Sequence, residues 1–238
     1  MSLSQLHTPE IHHAHRDVTG GWLRPATFGV MDGLVSNFSL VAGVVGGGAS
    51  GNAVILTGLA GLAAGACSMA SGEYASVSSQ TELAQAEIAV EQRELEKNPE
   101  GELAELTAIY EAKGLNHALA TQVAKELSSD PEVAWRVHTR EELGIDPDDL
   151  PSPWTAAGAS FAAFSLGAFI PLLPFVLGAG SITVTLILSA IALVLTGAVV
   201  ARLTARPLWF GGTRQLILGV LSAAVTYGVG LLVGVGLS

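Results

Sequence analysis

Residues 53–96 read AVILTGLAGLAAGACSMASGEYASVSSQTELAQAEIAVEQRELE. The first part, from about Ala53 to Val77, is apolar and rich in small residues, and it exceeds the ~20 residues that a helix needs to cross a bilayer. Nothing breaks the chain between this part and Glu82–Glu96. There Ala84, Ile88 and Leu95 fall on one helix face, with Glu87, Glu91 and Glu94 alongside. The stretch predicts one long helix, embedded in lipid at its start and bathed in water at its end. Such a helix belongs to an all-α integral membrane protein that carries a water-facing domain.

Four further apolar runs flank it. They extend from about Pro25 to Gly48, Trp154 to Leu177, Ser181 to Ala201 and Leu216 to Leu237. With the run from Ala53 they predict five transmembrane helices, since length favours helix over buried strand even in β-branched runs. Pro171 and Pro174 are expected to kink or break the third span. The chain divides accordingly into a tail over 1–24, spans one and two over 25–81, an acidic helical domain over 82–150, and spans three to five over 151–238.

Charge is segregated in the same way. Of 238 residues, 50% are hydrophobic and 13% charged, against about 25% charged in soluble domains. The segment from Glu82 to Asp149 holds 17 of the 21 acids and six of the 11 basic residues, an excess of 11 negative charges. That field attracts cations and disfavours nucleic acid. All 11 Lys and Arg can be placed on one side: before the first span, in the acidic domain, and between spans four and five. The positive-inside rule then puts the N-terminus and the acidic domain in the cytoplasm and the C-terminus outside. Trp22, Trp154 and Trp209 mark span ends on that face, as interfacial anchors do.

The remaining features are quieter. Gly43 and Gly47, Gly61 and Gly65, and Gly230 and Gly234 recur at the spacing that lets helices approach closely, within one chain or across a homodimer. Cys67, the single cysteine, excludes an internal disulfide and reads as a small buried residue. The polar N-terminus, with His7, His12, His13 and His15, is no secretory signal peptide and reads as a solvated tail able to collect metal.

The acidic domain predicts three more helices, from about Glu102 to Ala112, from Asn116 to Leu127, and from Asp130-Pro131 to near Gly144, the last opening on an N-cap followed by Pro. Glu91 and Glu94 are three apart, as are Glu102 and Glu105; His138 and Glu141 repeat the interval and Glu142 follows. Carboxylates three apart share a helix face, and paired Glu on neighbouring helices form an oxygen cage for iron or manganese. A solvated charged face is the plainer reading of the same spacing. Few lysines offset these acids, and unneutralised like charges on adjacent helices repel.

Two carboxylates fall inside the spans, Asp32 in the first and Glu73 in the second. A charge at mid-membrane costs roughly 2.5–3.5 kcal/mol on insertion scales, which marks an intramembrane acid as a functional residue. Met69 lies one turn before Glu73 on the same face. An acid and a thioether at this depth suggest a path for a cation, with Ser36 and Asn37 as polar neighbours. Structural glue between helices is the alternative role for both acids.

The segments Gly29–Gly43 (GVMDGLVSNFSLVAG), Ala63–Gln80 (AAGACSMASGEYASVSSQ) and Leu150–Ser160 (LPSPWTAAGAS) resemble the vacuolar iron transporter family of yeast and plants, over about His13 to Leu237. The resemblance implies a dimeric five-span transporter exporting Fe²⁺ from the cytoplasm in exchange for protons, with a cytoplasmic metal-binding domain and no prosthetic group. By position, Asp32 and Met69 match the family's membrane metal site, and Glu73 lies in the second motif. Glu91, Glu94, Glu102, Glu105 and Glu142 match the acidic ligands of the helical domain. Plant members carry two methionines shortly before the last glutamate, where His138 and Thr139 stand here; loss of the soft donors makes Mn²⁺ a second substrate. The short loops suit a bacterial inner membrane. The expectation is a transporter rather than an enzyme, moving a metal that also acts as a regulatory ion. The alternatives are a membrane-tethered iron buffer or ferroxidase-like protein, and a channel-like or signalling protein.

Overall fold

The computed structural model describes residues 21–237, so the N-terminal histidines lie outside it. The described chain is helical, without strands. Helix α1 covers Leu23–Gly46 and α2 covers Gly51–Lys97, 47 residues in one piece. At 1.5 Å per residue α2 is about 70 Å long, more than twice the ~30 Å hydrocarbon core, so the unbroken helix expected from the sequence leaves the bilayer and becomes a wall of the acidic domain. Three short helices complete that domain: α3 (Pro99–Ala112), α4 (His117–Leu127) and α5 (Pro131–Glu141). Each starts on a side chain that satisfies a free backbone donor. Asn98 accepts from Gly101 N at 3.2 Å, Asn116 from Leu119 N at 3.1 Å and Asp130 from Glu132 N at 2.9 Å.

The third apolar run is α6 (Pro153–Phe169), a 3₁₀ turn at Ile170–Leu172 and the short α7 (Leu173–Val176). The break sits at Pro171, whose ring and missing N–H interrupt the helical ladder. Helix α8 (Ile182–Leu203) and α9 (Leu208–Leu237) finish the bundle. Helix α9 starts eight residues before the expected Leu216. The polar Arg214-Gln215 pair and Gly211-Gly212 read as loop in sequence, but the glycines are consumed by packing: a Cβ on Gly211 would stand 2.2 Å from Gly197 O of α8.

Helix α1 is the central post, packed on α2, α6 and α9 and touching α8. Leu34, Phe38 and Ala42 of α1 meet Ala192 and Leu193 of α8 and Ala223 of α9 in the main buried cluster. Backbone contact sets the spacing. A Cβ on Gly167 would fall 2.2 Å from Val30 O, and one on Gly230 would fall 2.0 Å from Gly43 O. The Gly43/Gly47 and Gly230/Gly234 pairs are therefore spent on each other, α1 against α9 within one chain. Outward faces remain apolar, with Leu56, Ile187, Leu221 and Leu232 exposed, a surface suited to acyl chains and costly in water. Cys67 also faces outward, contrary to the buried position expected for a small residue; in a lipid-facing helix the outside is as apolar as the core, so composition does not reveal direction.

Candidate functional site

Two polar constellations are held by this scaffold. The first lies within the spans. Asp32, Ser36 and Asn37 of α1, Gly61, Gly65, Ser68 and Met69 of α2, and Phe164 of α6 line a cavity of about 250 Å³. Asp32 and Ser36 are one helical turn apart, as are Gly61, Gly65 and Met69 in succession, so each helix turns one stripe inward. The glycines make the room: a Cβ on Gly65 would fall 2.2 Å from the Phe164 ring, and one on Gly61 would fall 2.5 Å from Leu40. Asn37 is 2% exposed; its Nδ2 donates to Ala168 O at 2.5 Å, and its Oδ1 is buried without a hydrogen-bond partner. Orphaned acceptors of this kind are rare in folded proteins and call for an occupant or a function.

Glu73 does not line this cavity. It is buried beside α1, with Oε2 4.0 Å from the Arg24 guanidinium at that helix's start. Arg24 is largely exposed, so this long pair is a weak, solvent-screened contact. Close by, Tyr74 packs against Trp154 with ring centroids 4.7 Å apart and planes tilted by 58°, and Thr81 Oγ1 donates to Pro151 O at 3.0 Å. These contacts tie α2 to the start of α6 where α2 leaves the apolar layer.

The second constellation lies in the acidic domain. Glu91 of α2, Glu102 of α3, His138 of α5 and Glu142 at the end of α5 each offer one ligand atom, all within 4.8 Å of one another. Three of the four are buried, His138 completely. His138 Nδ1 stands 3.1 Å from Glu91 Oε1 and 3.5 Å from Glu102 Oε2, yet none of these three atoms has hydrogen-bond geometry, nor does His138 Nε2. Burial pushes the Glu91 carboxyl up to about 7, aided by the charges of Glu142 and Glu102. Glu102 and Glu142 are also raised, first by burial and then by the charge of Glu105. Burial lowers His138 and outweighs the opposing pull of Glu105. An imidazole with a lowered pKa thus faces three carboxyls with raised ones, and their four donor atoms converge. The donor set is three oxygens and one imidazole nitrogen, which suits Fe²⁺ or Mn²⁺.

The neighbouring acids behave differently. Glu94 and Glu105 are exposed and stand outside this group, acting on it only through their charge. The three-residue spacing put them on roughly the right side of their helices, but one turn turns each toward solvent. Glu141, which continued the spacing from His138, instead pairs with Lys113 and accepts from Tyr110 Oη at 3.5 Å. Thr139 is buried, with its hydroxyl committed to Trp135 O at 2.7 Å, so of the two positions before Glu142 only His138 reaches the cluster. Glu142 is placed by the segment that follows it: Arg140 holds Asp146 at 2.8 Å and Asp148 at 2.9 Å, and Arg136 holds Asp148 at 3.1 Å. Sequence reading missed Ser68 and Phe164 of the membrane cavity; extending the stripe through Gly61, Gly65 and Met69 would have found Ser68, whereas Phe164 carries no local signal.

Residues 23–231 match the model of the VIT family. A vacuolar iron transporter of Acanthamoeba castellanii is 40% identical over 223 residues, covering 90% of this chain and 79% of that protein. Vacuolar iron transporter 1 of Oryza sativa subsp. japonica is 32% identical, covering 92% and 88%. Vacuolar iron transporter homolog 3 of Arabidopsis thaliana is 36% identical, covering 90% and 84%. With five helices long and apolar enough to cross a membrane and a family match along nearly its whole length, the chain is an integral membrane protein that belongs to the VIT family.

Proposed function

We propose that this protein is a transporter of ferrous iron, with manganese as a second substrate. The observation that carries the reading is the set of four converging groups, Glu91, Glu102, His138 and Glu142, of which the first three are buried with ligand atoms that have no hydrogen-bond partner, in a segment of strong negative charge. Polar atoms buried in this way are costly unless a partner compensates them, and a divalent cation compensates all four together. The names of the relatives, vacuolar iron transporters, supply the substrate class. His138 in place of a thioether hardens the donor set and opens it to Mn²⁺.

The working cycle follows from the two sites. The acidic domain lies in the cytoplasm, on the side to which all Lys and Arg can be assigned. Its field concentrates cations, and the cluster captures one. Occupancy draws α2, α3 and α5 together, which gives the metal a regulatory role as well. The ion passes Glu73 at the end of the span and enters the cavity of Asp32 and Met69. Asp32 compensates its charge, Met69 offers a soft contact that favours Fe²⁺ over Ca²⁺ or Mg²⁺, and the Asn37 carbonyl oxygen adds a neutral donor. Release requires weak or switchable binding. Protons arriving from the far side neutralise Asp32 or Glu73, which makes the cycle an export of metal in exchange for protons. The working unit is a homodimer, since one five-helix bundle is thin.

Fe²⁺ flux into proteoliposomes with an imposed pH gradient tests the proposal. Wild-type protein should move Fe²⁺ and Mn²⁺ and dissipate the gradient while doing so. Absence of metal-dependent flux would favour a membrane-tethered buffer, whose activity resides wholly in the acidic domain.

A further inference from the structure

From Pro151 to the C-terminal Ser238 the chain carries three charged side chains, Arg202, Arg206 and Arg214. All three stand where α8 hands over to α9. Arg206 and Arg214 line a cavity of about 380 Å³ together with Ala201, Thr204, Phe210 and Gly211. Among the described residues neither guanidinium has an acidic partner, although every arginine of α5 has one. The Arg214 side chain and the Arg206 backbone are nonetheless held. Arg214 lies over the Phe210 ring, 5.8 Å from its centroid. The Arg206 backbone N–H donates to Ala201 O at 2.8 Å, closing the turn back onto α8. That turn forces Ala205 to φ 53°, a left-handed conformation costly for a residue with a Cβ.

The level of this cavity relative to lipid can be read from its rim. Leu208, Trp209 and Phe210 are exposed, Trp209 at 72%, and exposed Trp at a span end marks the headgroup region. Arg214 lies about 9 Å along the helix from Leu208, within reach of that region for a long side chain. The start of α9 adds the positive end of its helix dipole. Two guanidinium groups that line one cavity, without an acidic partner among the described residues and beside an apolar rim, offer the charge and the donors that a phosphate group accepts. Basic pockets between membrane helices recognise lipid headgroups in this way.

We propose that the cavity between α8 and α9 is a binding site for a phosphate-bearing anion, gripped by Arg206 and Arg214, and that an anionic phospholipid headgroup is its source. The site is separate from the metal cluster and the Asp32 cavity, and it fixes the α8–α9 hairpin to the membrane surface.

The test uses the full-length protein in detergent, titrated with phosphatidylglycerol or phosphatidylcholine and followed by native mass spectrometry. At about one unit of lipid-surface attraction per arginine, wild type should retain phosphatidylglycerol about thirtyfold more tightly than phosphatidylcholine. The double substitution R206Q/R214Q should erase that preference, while Arg202→Gln, which removes the same kind of charge outside the cavity, should leave most of it. Size-exclusion profiles and circular dichroism check that the variants fold, and the wild-type lipid comparison needs no variant. Equal retention of the two lipids by wild type, or an undiminished preference in the double variant, overturns the proposal. Displacement of phosphatidylglycerol by millimolar inorganic phosphate would keep the phosphate site and overturn the lipid as its source.

Discussion

The membrane cavity and the acidic-domain cluster are both built around carboxylates, yet they solve opposite problems. In the cluster, four donors converge within 4.8 Å of one another, three of them buried and Glu142 at the exposed edge. In the cavity, one carboxylate and one thioether face a space of about 250 Å³ lined otherwise by hydroxyls, an amide, glycines, a leucine and an aromatic ring. Dense convergence favours capture; sparse ligation favours passage, because an ion must leave as readily as it enters. Among the described residues, Glu73 has a distant Arg24 to answer it.

The proposed division of labour can be broken at either end. The largest effect is expected at the cavity. Asp32→Ala should abolish metal-dependent flux in proteoliposomes while metal binding by the acidic domain, read by titration of the detergent-solubilised protein, stays intact. Flux at the wild-type level would remove Asp32 from the pathway. Next, Glu91→Gln should lower metal affinity by at least about 10–100-fold, the range seen when support for a metal site is lost, and leave residual flux at high metal concentration. Glu94→Gln, an exposed neighbour outside the group, should have a far smaller effect; equal losses in the two variants would mean that the solvated charge, not the convergence, does the binding.

The pH dependence sharpens the comparison further. Glu91 is raised to about 7 from 4.5, so below pH 7 a metal must displace its proton. Affinity should then fall by about fivefold between pH 7 and 6, and Glu91→Gln should flatten this dependence. The same shift predicts that the metal-free acidic domain loses stability as pH rises from about 4.5 to about 7, where the folded state must ionise a buried carboxyl that the unfolded chain ionises freely. Thermal melts with and without Mn²⁺ across that window check the sign. The smallest effect is expected from Arg24→Gln, which should alter flux by less than about threefold, as befits an exposed partner in a long ion pair.

Much of this molecule was legible in one dimension. Five spans, the continuity of α2 beyond the membrane, the break at Pro171 and the cap at Asp130 all follow from local hydropathy, chain sterics and hydrogen bonding within a few residues, whereas α3 starts at Pro99 on an Asn98 cap, three residues before the expected Glu102. The start of α9 was not legible, since Gly211 and Gly212 read as a loop until α8 is laid against them. The direction of Cys67 was hidden because small apolar residues suit lipid and protein equally.

The candidate sites divide along the same line. Residue type and spacing were enough to nominate Asp32 and Met69, Glu91 and Glu102, His138 and Glu142. They could not separate Glu91 from Glu94, Glu102 from Glu105, or His138 and Glu142 from Glu141, because each pair or trio occupies nearly the same helix face. What separates them is the rotation and crossing of α2, α3 and α5, fixed by contacts among distant residues. The sequence by itself determined where the chain meets lipid and where its charge collects, because hydropathy and charge are properties of single residues. Only the tertiary structure decided which carboxylates meet, because convergence is a property of three helices at once.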